Sequence, residues 1–545
     1  MSHFVNDMES VVRSTIDGLI RSSSGSLCRL DGYPDVKVVL QANREQSHVA
    51  VISGGGSGHE PAHAGFVGRG LLTAAVCGEI FASPSVEAVL AAIEATDPAK
   101  GCLLVIKNYT GDRLNFGLAA ERARAKGRDV ATVIVADDAA FPDAAQRRGI
   151  AGTLFVHKIA GAAAASGRSL SEVAELAGRV AGSVRTIGAS LSSVEIPGRG
   201  SPRPFEHGMV ELGLGIHGEP GRDASAMGSV RELVARMAEM LETSLGSKGP
   251  LAVLINNLGG TSPLEMSIVT DEFLRTDLGT SVELIVGPAQ LMTSLGMRGI
   301  SISVLPIDDE LRQLLVQSID GPTAWPGVRT VGGIATVPTP SVEMHDKIAP
   351  SISPVVRSMI LAGCDALLKI EKDLNELDSL VGDGDTGSSF ASAARRISKE
   401  IDTLPLGDPG PLCSRLSALC SVSMGASSGI LLSIMFAAMG AAFETNETVA
   451  GAFATGIAAM QKHGGAQEGD RTMLDALIPA SEALRSAAEP SLAAAAALDG
   501  AARTARMKVA RAGRSSYIQS KHLEDVMDPG AVAVAAVFQA LVSSC

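Results

Sequence analysis

The segment LDSLVGDGDTGSS, residues 377–389, brings three carboxylates close together in the chain. Asp378, Asp383 and Asp385 are separated by glycines that leave room for tight turns. Mg2+ takes oxygen ligands, and a few carboxylates commonly hold it while phosphate oxygens fill its remaining positions. The residues TGSS that follow, 386–389, are typical of a helix start, whose unpaired backbone N–H groups bind anions. The pattern therefore predicts a site for a metal and a nucleotide.

An acidic segment rich in glycine can also be a solvated loop or a calcium loop. A solvated loop is the more common case, but amphipathic patterns at 355–377 and 390–401 flank the segment, so it joins two helices. A calcium loop of the EF-hand type needs a carboxylate at the third alternate position and a closing Glu. Gly387 and Ser389 break that match, and the metal–nucleotide site remains the favoured interpretation.

Length and composition exclude several classes of protein. A chain of 545 residues is too long for one core, so two or three domains are expected. Hydrophobic residues make up 46% of the chain and charged residues 19%, which excludes global disorder. The net charge of −13 and the lack of a basic run argue against a nucleic-acid partner.

Cysteine usage and the apolar segments bear on the compartment. The seven cysteines show no C-x-x-C spacing, which fits a reducing compartment, and the N-terminus lacks the pattern of a signal peptide. The best membrane candidate, Ile430–Phe443, is shorter than the roughly 20 residues that a span needs, which predicts a buried helix. We expect a cytoplasmic protein with no membrane partner.

The chain changes character after about residue 325. Before that point, apolar runs typical of strands buried on both faces alternate with helical patterns, which predicts an α/β domain over 1–330. The predicted strands are 48–52, 101–108, 129–137, 183–191, 249–257 and 280–287, with a helix at 230–245. A linker with prolines and glycines, 331–352, follows.

An all-α domain is predicted over 353–545, because every periodic segment there is helical. The predicted helices are 355–377, 388–401, 411–422, 428–444, 447–462, 470–487, 490–511 and 530–543.

Three motifs in the first domain carry polar side chains next to predicted strands or glycines. VISGGGSGHEP, 51–61, places His59 after a strand but lacks the Gly-Lys-Ser/Thr of a P-loop. KNYTGD, 107–112, brings Lys107 and Asp112 to a strand end, where α/β proteins bind ligands. GLGIHGEPG, 213–221, cannot open a dinucleotide-binding helix, and it leaves His217 between glycines. The alternative interpretations are a surface histidine for His59, a surface ion pair for Lys107 and Asp112, and a structural histidine for His217.

The ordered set of motifs resembles the dihydroxyacetone kinase family in its single-chain, ATP-dependent form. The first half contains GGGSGHEPAHAG, CGEIFASP, KNYTGD, RRGIAGT, HKIAGAAA, GIHGEPG and NNLGG in the order of that family. The second half contains GDGDTG, GASSG, GDRTMLDAL, GRSSY and DPGA. Each motif is weak alone, but the ordered set covers nearly the whole chain and is specific.

The resemblance implies roles for residues of the first domain. His217 corresponds to the histidine that forms a covalent hemiaminal with the substrate carbonyl. His59 and Asp112 correspond to acid/base residues, and which of the two is the base stays open. The implied substrate-binding residues are Gly56, Ser57, Gly58 and Lys107.

For the second domain the resemblance implies a barrel of eight helices that binds ATP and two Mg2+ ions. The implied metal ligands are Asp378, Asp383 and Asp385. The implied nucleotide contacts are Thr386, Gly387, Ser388, Ser389, Ser427, Ser428, Gly464, Met473, Arg514, Asp528, Pro529 and Gly530. The segment IQSKHLEDVM, 518–527, is more charged than the loop expected there.

The resemblance further implies a homodimer and a reaction. The expected reaction is ATP-dependent phosphorylation of a terminal hydroxyl of a short-chain ketose, with dihydroxyacetone as the first expectation. Erythrulose or glyceraldehyde is the alternative substrate. A non-catalytic regulator that senses a ligand is the alternative from a different class, and the three intact aspartates argue against it.

The domain boundary can be tested by limited proteolysis. We expect the first cleavage to fall within 331–352, because a segment with this composition leaves the backbone little protected. Mass spectrometry of the early fragments locates the cut. Early cleavage elsewhere, with this segment resistant, would show that the boundary is misplaced.

Overall fold

This computed structural model describes residues 3–544, except 45, 97–98, 142–146, 247–248, 341–348, 488 and 519–521. The chain divides into two compact units, Met1–Ala335 and Thr336–Cys545, which are described separately. The predicted linker includes 341–348, and the charged segment 518–527 includes 519–521, so these parts lie outside the described residues. Residues 332–340 have no regular secondary structure and are exposed.

The first unit contains a six-stranded sheet with the strand order β1-β2-β4-β3-β5-β6. Its strands are β1 (Leu27–Arg29), β2 (Val38–Gln41), β3 (Ala50–Ser57), β4 (Ala74–Ile80), β5 (Cys102–Lys107) and β6 (Val130–Val135). Strands β4, β3, β5 and β6 are parallel, whereas β1 and β2 are antiparallel. All of β3 is buried. The strand predicted at 48–52 was expected to end in a glycine-rich turn, but β3 continues through the glycines to Ser57. At the sheet edge, β6 exposes Thr132 and Ile134, so the prediction of burial on both faces was wrong for this strand.

A second, seven-stranded sheet has the order β13-β11-β10-β12-β7-β8-β9. Its strands are β7 (Arg185–Ser190), β8 (Met209–Leu212), β9 (Asp223–Ala226), β10 (Leu251–Asn257), β11 (Val282–Gln290), β12 (Gly299–Pro306) and β13 (Val328–Thr330). Only the β10–β11 pair is parallel among the described pairs. Apolar runs indicate only that a strand is buried on both faces. An antiparallel sheet covered by helices is buried in the same way as a parallel one, so the apolar runs could not predict the strand direction.

Eight helices accompany these sheets among the described residues. They are α1 (Val11–Arg21), α2 (Val86–Thr96), α3 (Thr110–Ala125), α4 (Thr153–Ala165), α5 (Leu170–Ser183), α6 (Val230–Ser244), α7 (Pro263–Leu274) and α8 (Asp309–Val316). Capping boxes at Ser169, Ser229 and Ser262 start α5, α6 and α7, because each serine is followed three residues later by a glutamate.

Helix α4 lies in the largest core of the first unit. This core contains residues of α4 together with residues of both sheets. A Cβ on Gly161 of α4 would lie 2.2 Å from the carbonyl oxygen of Leu71, so glycine is required for this close approach. The approach brings His157 and Lys158 of α4 into the protein interior, where both are fully buried.

Nine helices form the described part of the second unit. They are α9 (Pro354–Lys369), α10 (Glu371–Val381), α11 (Thr386–Glu400), α12 (Pro409–Ser423), α13 (Ala426–Glu444), α14 (Val449–Gly464), α15 (Leu474–Ala487), α16 (Pro490–Thr504) and α17 (Pro529–Ser544). Eight of them pack as a ring in the order α9, α11, α12, α13, α14, α15, α16, α17 and back to α9. Helix α10 packs against α11 and α17.

The eight-helix barrel was thus predicted correctly, but two helix bounds were wrong. The predicted helix 355–377 is divided at Ile370, whose ψ of 11° departs from helical geometry, into α9 and α10. The helix predicted over 490–511 ends at Thr504. The Thr504 hydroxyl accepts a hydrogen bond from the backbone N–H of Asp528, so this helix end is tied to the start of α17.

Helix α13 is longer and less buried than predicted. Only 22% of the residues of Ser427–Glu444 are buried, and Ile430, Leu431 and Ile434 line a cavity of the unit. By length and composition this segment could cross a membrane, and it is the one such helix in the part of the chain that the structure describes. A cavity-lining helix passes the same test, so the observation is weak evidence for a membrane.

Candidate functional site

His59 follows the carboxyl end of β3 and is completely buried. Its Nδ1 lies 2.8 Å from the carbonyl oxygen of Thr293. A carbonyl only accepts, so Nδ1 carries the hydrogen and Nε2 carries a lone pair, which has no hydrogen-bond partner among the described residues. Burial, and then the charge of Lys107, hold the pKa of His59 well below its usual value. His59 is therefore a neutral imidazole that can accept a proton at Nε2.

Lys107 and Asp112 lie beside the glycine-rich strand end. Lys107 ends β5 with 1% exposure, and Asp112 lies in the first turn of α3 with 3% exposure. A Cβ on Gly55 would lie 3.4 Å from Nζ of Lys107 and 3.5 Å from Oδ2 of Asp112, so both groups approach this backbone. Burial lowers the pKa of Lys107, while Asp112 and Glu219 act in the opposite direction.

His217 reaches this cluster from the loop that follows β8. Its ring centroid lies 4.9 Å from that of His59, 4.7 Å from that of Tyr109 and 5.2 Å from that of Phe81. The Tyr109 ring centroid in turn lies 5.7 Å from Nζ of Lys107. The structure thus brings together His59, Lys107, Asp112 and His217, which the sequence carries on three separate segments.

Three residues of this cluster were missed from the sequence. Phe81 stacks on His59, Tyr109 packs on His217, and Glu219 hydrogen-bonds to His217. Each stands inside a motif already recognised, namely CGEIFASP, KNYTGD and GIHGEPG. Membership of those motifs was therefore the signal that could have identified them.

The predicted glycines and Ser57 shape the turn beside the cluster. Gly58 has a φ of +101°, and a Cβ there would lie 2.8 Å from the Phe81 ring, so a side chain is excluded. Ser57 donates its hydroxyl hydrogen to the carbonyl of Gly78 at 2.8 Å. Gly56 and Ser57 line a cavity of about 320 Å³, whereas His59, Asp112 and His217 are not among its described lining residues.

Two further histidines are buried close to the cluster. The rings of His63 and His157 lie 5.2 Å apart, and no described residue forms a hydrogen bond with any of their four ring nitrogens. Burial, followed by the charge of Lys107, lowers the pKa of His157 to about 3 and that of His63 well below its usual value. Both imidazoles are therefore neutral in the folded protein.

The three predicted metal ligands lie together in the second unit. One carboxylate oxygen from each of Asp378, Asp383 and Asp385 lies within 4.8 Å of the others. Oδ2 of Asp378 accepts hydrogen bonds from the backbone N–H groups of Asp385 and Thr386, at 2.9 and 3.2 Å. Helix α11 begins at Thr386, as predicted. Clustered oxygen ligands beside a helix N-terminus fit Mg2+ together with a phosphate group.

A cavity of about 640 Å³ opens next to these carboxylates. Its lining contains the three aspartates and most of the predicted nucleotide contacts, namely Thr386, Ser389, Ser427, Ser428, Gly464, Met473, Asp528, Pro529 and Gly530. Gly387 and Ser388 are not among the described lining residues. Gly387 packs on the backbone of Glu371, and Ser388 hydrogen-bonds to Asn375. The Arg514 side chain lies outside the described residues.

The cavity also has lining residues that the sequence patterns did not single out. Arg471 is buried with 1% exposure, and its Nη2 donates to the carbonyl of Val526 at 2.7 Å. Burial raises the pKa of Asp528, close to Arg471, to about 6. Apolar side chains of α13 and α14 complete the lining with Ile430, Leu431, Ile434 and Met460. The motif GDRTMLDAL was the sequence signal for Arg471.

Comparisons with known proteins cover the whole chain. The Dak1 domain family matches residues 18–323, and the DAK2 domain family matches residues 380–543. The chain is 44% identical over 548 residues to dihydroxyacetone kinase of Citrobacter freundii, with 99% of both chains covered. It is 42% identical over 584 residues to a putative 3,4-dihydroxy-2-butanone kinase of Solanum lycopersicum, covering 98% of this chain and 97% of the relative.

A solved structure agrees with these sequence matches. The dihydroxyacetone kinase from C. freundii in complex with AMP-PNP and Mg2+ is 42% identical and covers 100% of both chains, with a TM-score of 0.68. The two domains and these relatives make the chain an ATP-dependent phosphotransferase with an alcohol group as acceptor. More particularly, the chain belongs to the dihydroxyacetone kinase family, with both domains on one chain.

The buried histidines predict how the first unit responds to pH. The folded-state pKa of His157, about 3, lies below its ordinary value of 6.5, so below pH 6.5 the unfolded chain binds a proton that the folded chain does not. Stability should therefore fall as the pH falls. In His157→Phe, the loss of unfolding free energy between pH 7.5 and 5.5 should be smaller by about 1.4 kcal/mol.

Urea unfolding followed by tryptophan fluorescence measures this effect in the first unit. Trp325 is the only tryptophan of the chain, and it is buried in the core that contains α4 residues. His207→Phe is the control, because His207 is exposed, and its pH response should equal that of the unaltered protein. An equal loss in His157→Phe and in the unaltered protein would contradict the assignment.

Proposed function

We propose that this protein transfers the γ-phosphate of ATP to a terminal hydroxyl of dihydroxyacetone, giving dihydroxyacetone phosphate. The observation that carries the proposal is the buried cluster of His59, Lys107, Asp112 and His217 in the Dak1 domain. Polar groups that are buried and only partly partnered need a polar ligand to satisfy them. A small polyol with a carbonyl group supplies both hydroxyl groups and an electrophilic carbon.

In this proposal His217 holds the substrate as a hemiaminal. The ring is held by Phe81, Tyr109 and His59, and only about a fifth of its side chain is exposed, 21%. Covalent attachment would fix the acceptor hydroxyl in one orientation, which lowers the entropic cost of the transfer. The hydroxyl proton then goes to one of two unpartnered acceptors, Nε2 of His59 or Oδ1 of Asp112.

ATP and Mg2+ are proposed to bind in the cavity of the second unit. Asp378, Asp383 and Asp385 would hold Mg2+, for which we propose two ions, and the N-terminus of α11 would donate to phosphate oxygens. Bound Mg2+ supplies positive charge that offsets the charge of the transferring phosphoryl group. The solved relative in complex with AMP-PNP and Mg2+ supports this part of the proposal.

We also propose that the protein is a cytoplasmic homodimer. The family resemblance is the support for a dimer. Six described cysteines are free thiols, which fits a reducing compartment. Sedimentation of the purified chain tests the oligomeric state, and a monomer at micromolar concentration would contradict it.

Two alternative functions can be distinguished from this proposal by experiment. The S. lycopersicum relative is named as a putative kinase of a four-carbon ketose, so a C4 substrate is the first alternative. A regulator that senses its ligand without turnover is the second, and the intact carboxylate cluster argues against it. ATP turnover measured with several C3 and C4 ketoses distinguishes the three functions, because a regulator would give none.

The metal site predicts the effect of Asp383→Ala. Loss of one of three clustered carboxylates should reduce kcat about 100-fold or more, because the charge of the transferring group is then poorly compensated. Binding of dihydroxyacetone to the first unit should not change. A coupled assay for ADP release, with Mg2+ present, gives kcat, and calorimetry gives the affinity for the ketose.

Asp402→Ala is the control for this variant. Asp402 is an exposed aspartate of the same unit that pairs with Arg357 and is not among the described lining residues of the cavity. It should keep near-normal turnover. Near-normal turnover in Asp383→Ala as well would refute the metal site.

A covalent tether predicts strict discrimination between ketose and polyol. Dihydroxyacetone should be phosphorylated and glycerol ignored, because glycerol keeps the hydroxyls but lacks the carbonyl that a hemiaminal needs. His217→Ala should raise the KM for dihydroxyacetone at least about tenfold and relax the discrimination. Steady-state kinetics with both substrates measure this, and comparable kcat/KM values in the unaltered protein would exclude the tether.

A further inference from the structure

We infer that Glu219 is a positioning residue, whose carboxylate fixes the tautomer and the orientation of His217 and so prepares the ring for attack. The inference rests on the proposed hemiaminal and goes beyond it. It names the group that prepares His217 for attack.

The contacts between the two residues support this role. Oε1 of Glu219 lies 3.0 Å from Nδ1 of His217, and Oε2 accepts the backbone N–H of His217 at 2.8 Å. One carboxylate therefore holds both the ring and the backbone of the same residue. The other contacts of the ring are with the rings of Phe81, Tyr109 and His59. The orientation of the imidazole is consequently determined on several sides.

The ionisation of Glu219 decides the tautomer. Burial acts to raise the pKa of Glu219, but the hydrogen bond and charge of His217 and the backbone N–H groups outweigh burial and lower it to about 2. The side chain is therefore a carboxylate at any working pH, and a carboxylate can only accept hydrogen bonds. In the neutral ring, which is the form that can attack a carbonyl, Nδ1 then carries the hydrogen and the lone pair lies at Nε2.

The attack on the carbonyl carbon involves the His217 ring, the ketose and one proton from solvent. The lone pair of Nε2 forms the C–N bond, the π electrons of the carbonyl move to oxygen, and that oxygen takes one proton from solvent. The ring, bonded at Nε2 and still protonated at Nδ1, gains one positive charge. The Glu219 carboxylate faces this charge at 3.0 Å and stabilises the adduct relative to the free ketose.

Gly215 and Arg148 lie next to the Glu219 carboxylate and limit the space that it can occupy. A Cβ on Gly215 would lie 2.1 Å from Oε2 of Glu219 and 2.8 Å from Nη1 of Arg148. Arg148 is held by an ion pair with Asp138 at 2.6 Å and donates to the carbonyl of Gly213 at 2.7 Å. A methyl group on Gly215 would therefore displace the carboxylate from His217 without removing its charge.

A merely structural role for Glu219 in the loop is the alternative. Glu211 provides the comparison, because it ties the same loop through Arg203, whose Nε donates to the carbonyl of Gly218. The backbone N–H of Gly221 also donates to Glu211. Glu211 has no hydrogen bond to His217 among the described contacts. If Glu219 only stabilised the loop, the loss of either carboxylate, Glu211 or Glu219, would have the same effect on His217.

The test is NMR of the full chain, with 15N in its histidines and dihydroxyacetone that carries 13C at its carbonyl carbon. The unaltered protein should show a hydrogen on Nδ1 of His217 in the free state. With the ketose bound, the labelled carbon should show a one-bond coupling to Nε2. In Glu219→Gln the tautomers should mix, and the Kd for dihydroxyacetone should rise at least about tenfold.

Two further variants separate positioning from loop stability. Gly215→Ala should reproduce the mixed tautomers, the weaker coupling and the raised Kd of Glu219→Gln, because the displaced carboxylate no longer faces Nδ1. Glu211→Gln should keep both the tautomer and the coupling. Tryptophan fluorescence at pH 7.5 shows that each variant is folded. Equal losses in Glu211→Gln and Glu219→Gln would overturn the inference in favour of a structural role.

The outcomes also separate this inference from the proposed function. If the unaltered protein shows no C–N coupling although it turns the ketose over, the hemiaminal and this inference both fail. If the bond forms at Nδ1, or forms equally at Nε2 in Glu219→Gln, only the role of Glu219 fails. If His217→Ala loses the coupling and Glu219→Gln weakens it, both stand.

Discussion

The buried ammonium group of Lys107 is the constraint on which the first unit depends. Transfer of an ion into a protein interior costs on the order of several kcal/mol unless nearby groups compensate its charge. Asp112, Glu219 and Asp137 favour the charged form of Lys107, and they come from three different segments of the chain. Burial, and then the same positive charge, lower the pKa values of His59, His63 and His157 and keep the three imidazoles neutral. The buried imidazoles are therefore available as lone-pair donors instead of as cations.

Clustered negative charge has the corresponding part in the second unit. Three carboxylates within 4.8 Å of one another repel, and backbone N–H groups at the start of α11 offset only part of that repulsion at Asp378. The arrangement therefore favours a divalent cation. The adjoining cavity has these carboxylates on one side and apolar side chains of α13 on another. Such a lining suits a nucleotide, which has a charged part and a flat aromatic part.

Much of the second unit could be predicted, because its signals are local. The carboxylate cluster, the start of α11 at Thr386 and the all-α class of the unit follow from residue spacing and helical periodicity, whereas the closed ring of eight helices was implied only by the family resemblance. The break between α9 and α10 at Ile370 could not be predicted, since no glycine or proline marks it in the sequence. The contacts of Gly387 and Ser388 could not be predicted either. Both residues belong to a motif that matches nucleotide-binding positions, but in the fold they contact Glu371 and Asn375.

In the first unit the sequence alone determined the positions of six strands, β3, β5, β6, β7, β10 and β11, and which polar residues stand close to them. These features depend on side chains a few residues apart. Only the tertiary structure decided that the second sheet is mostly antiparallel, that His59 bonds to Thr293 across 234 residues of sequence, and that Phe81 and Tyr109 pack against His217. Strand direction and contacts between distant segments depend on how whole elements pack, and no local pattern of residues encodes that packing.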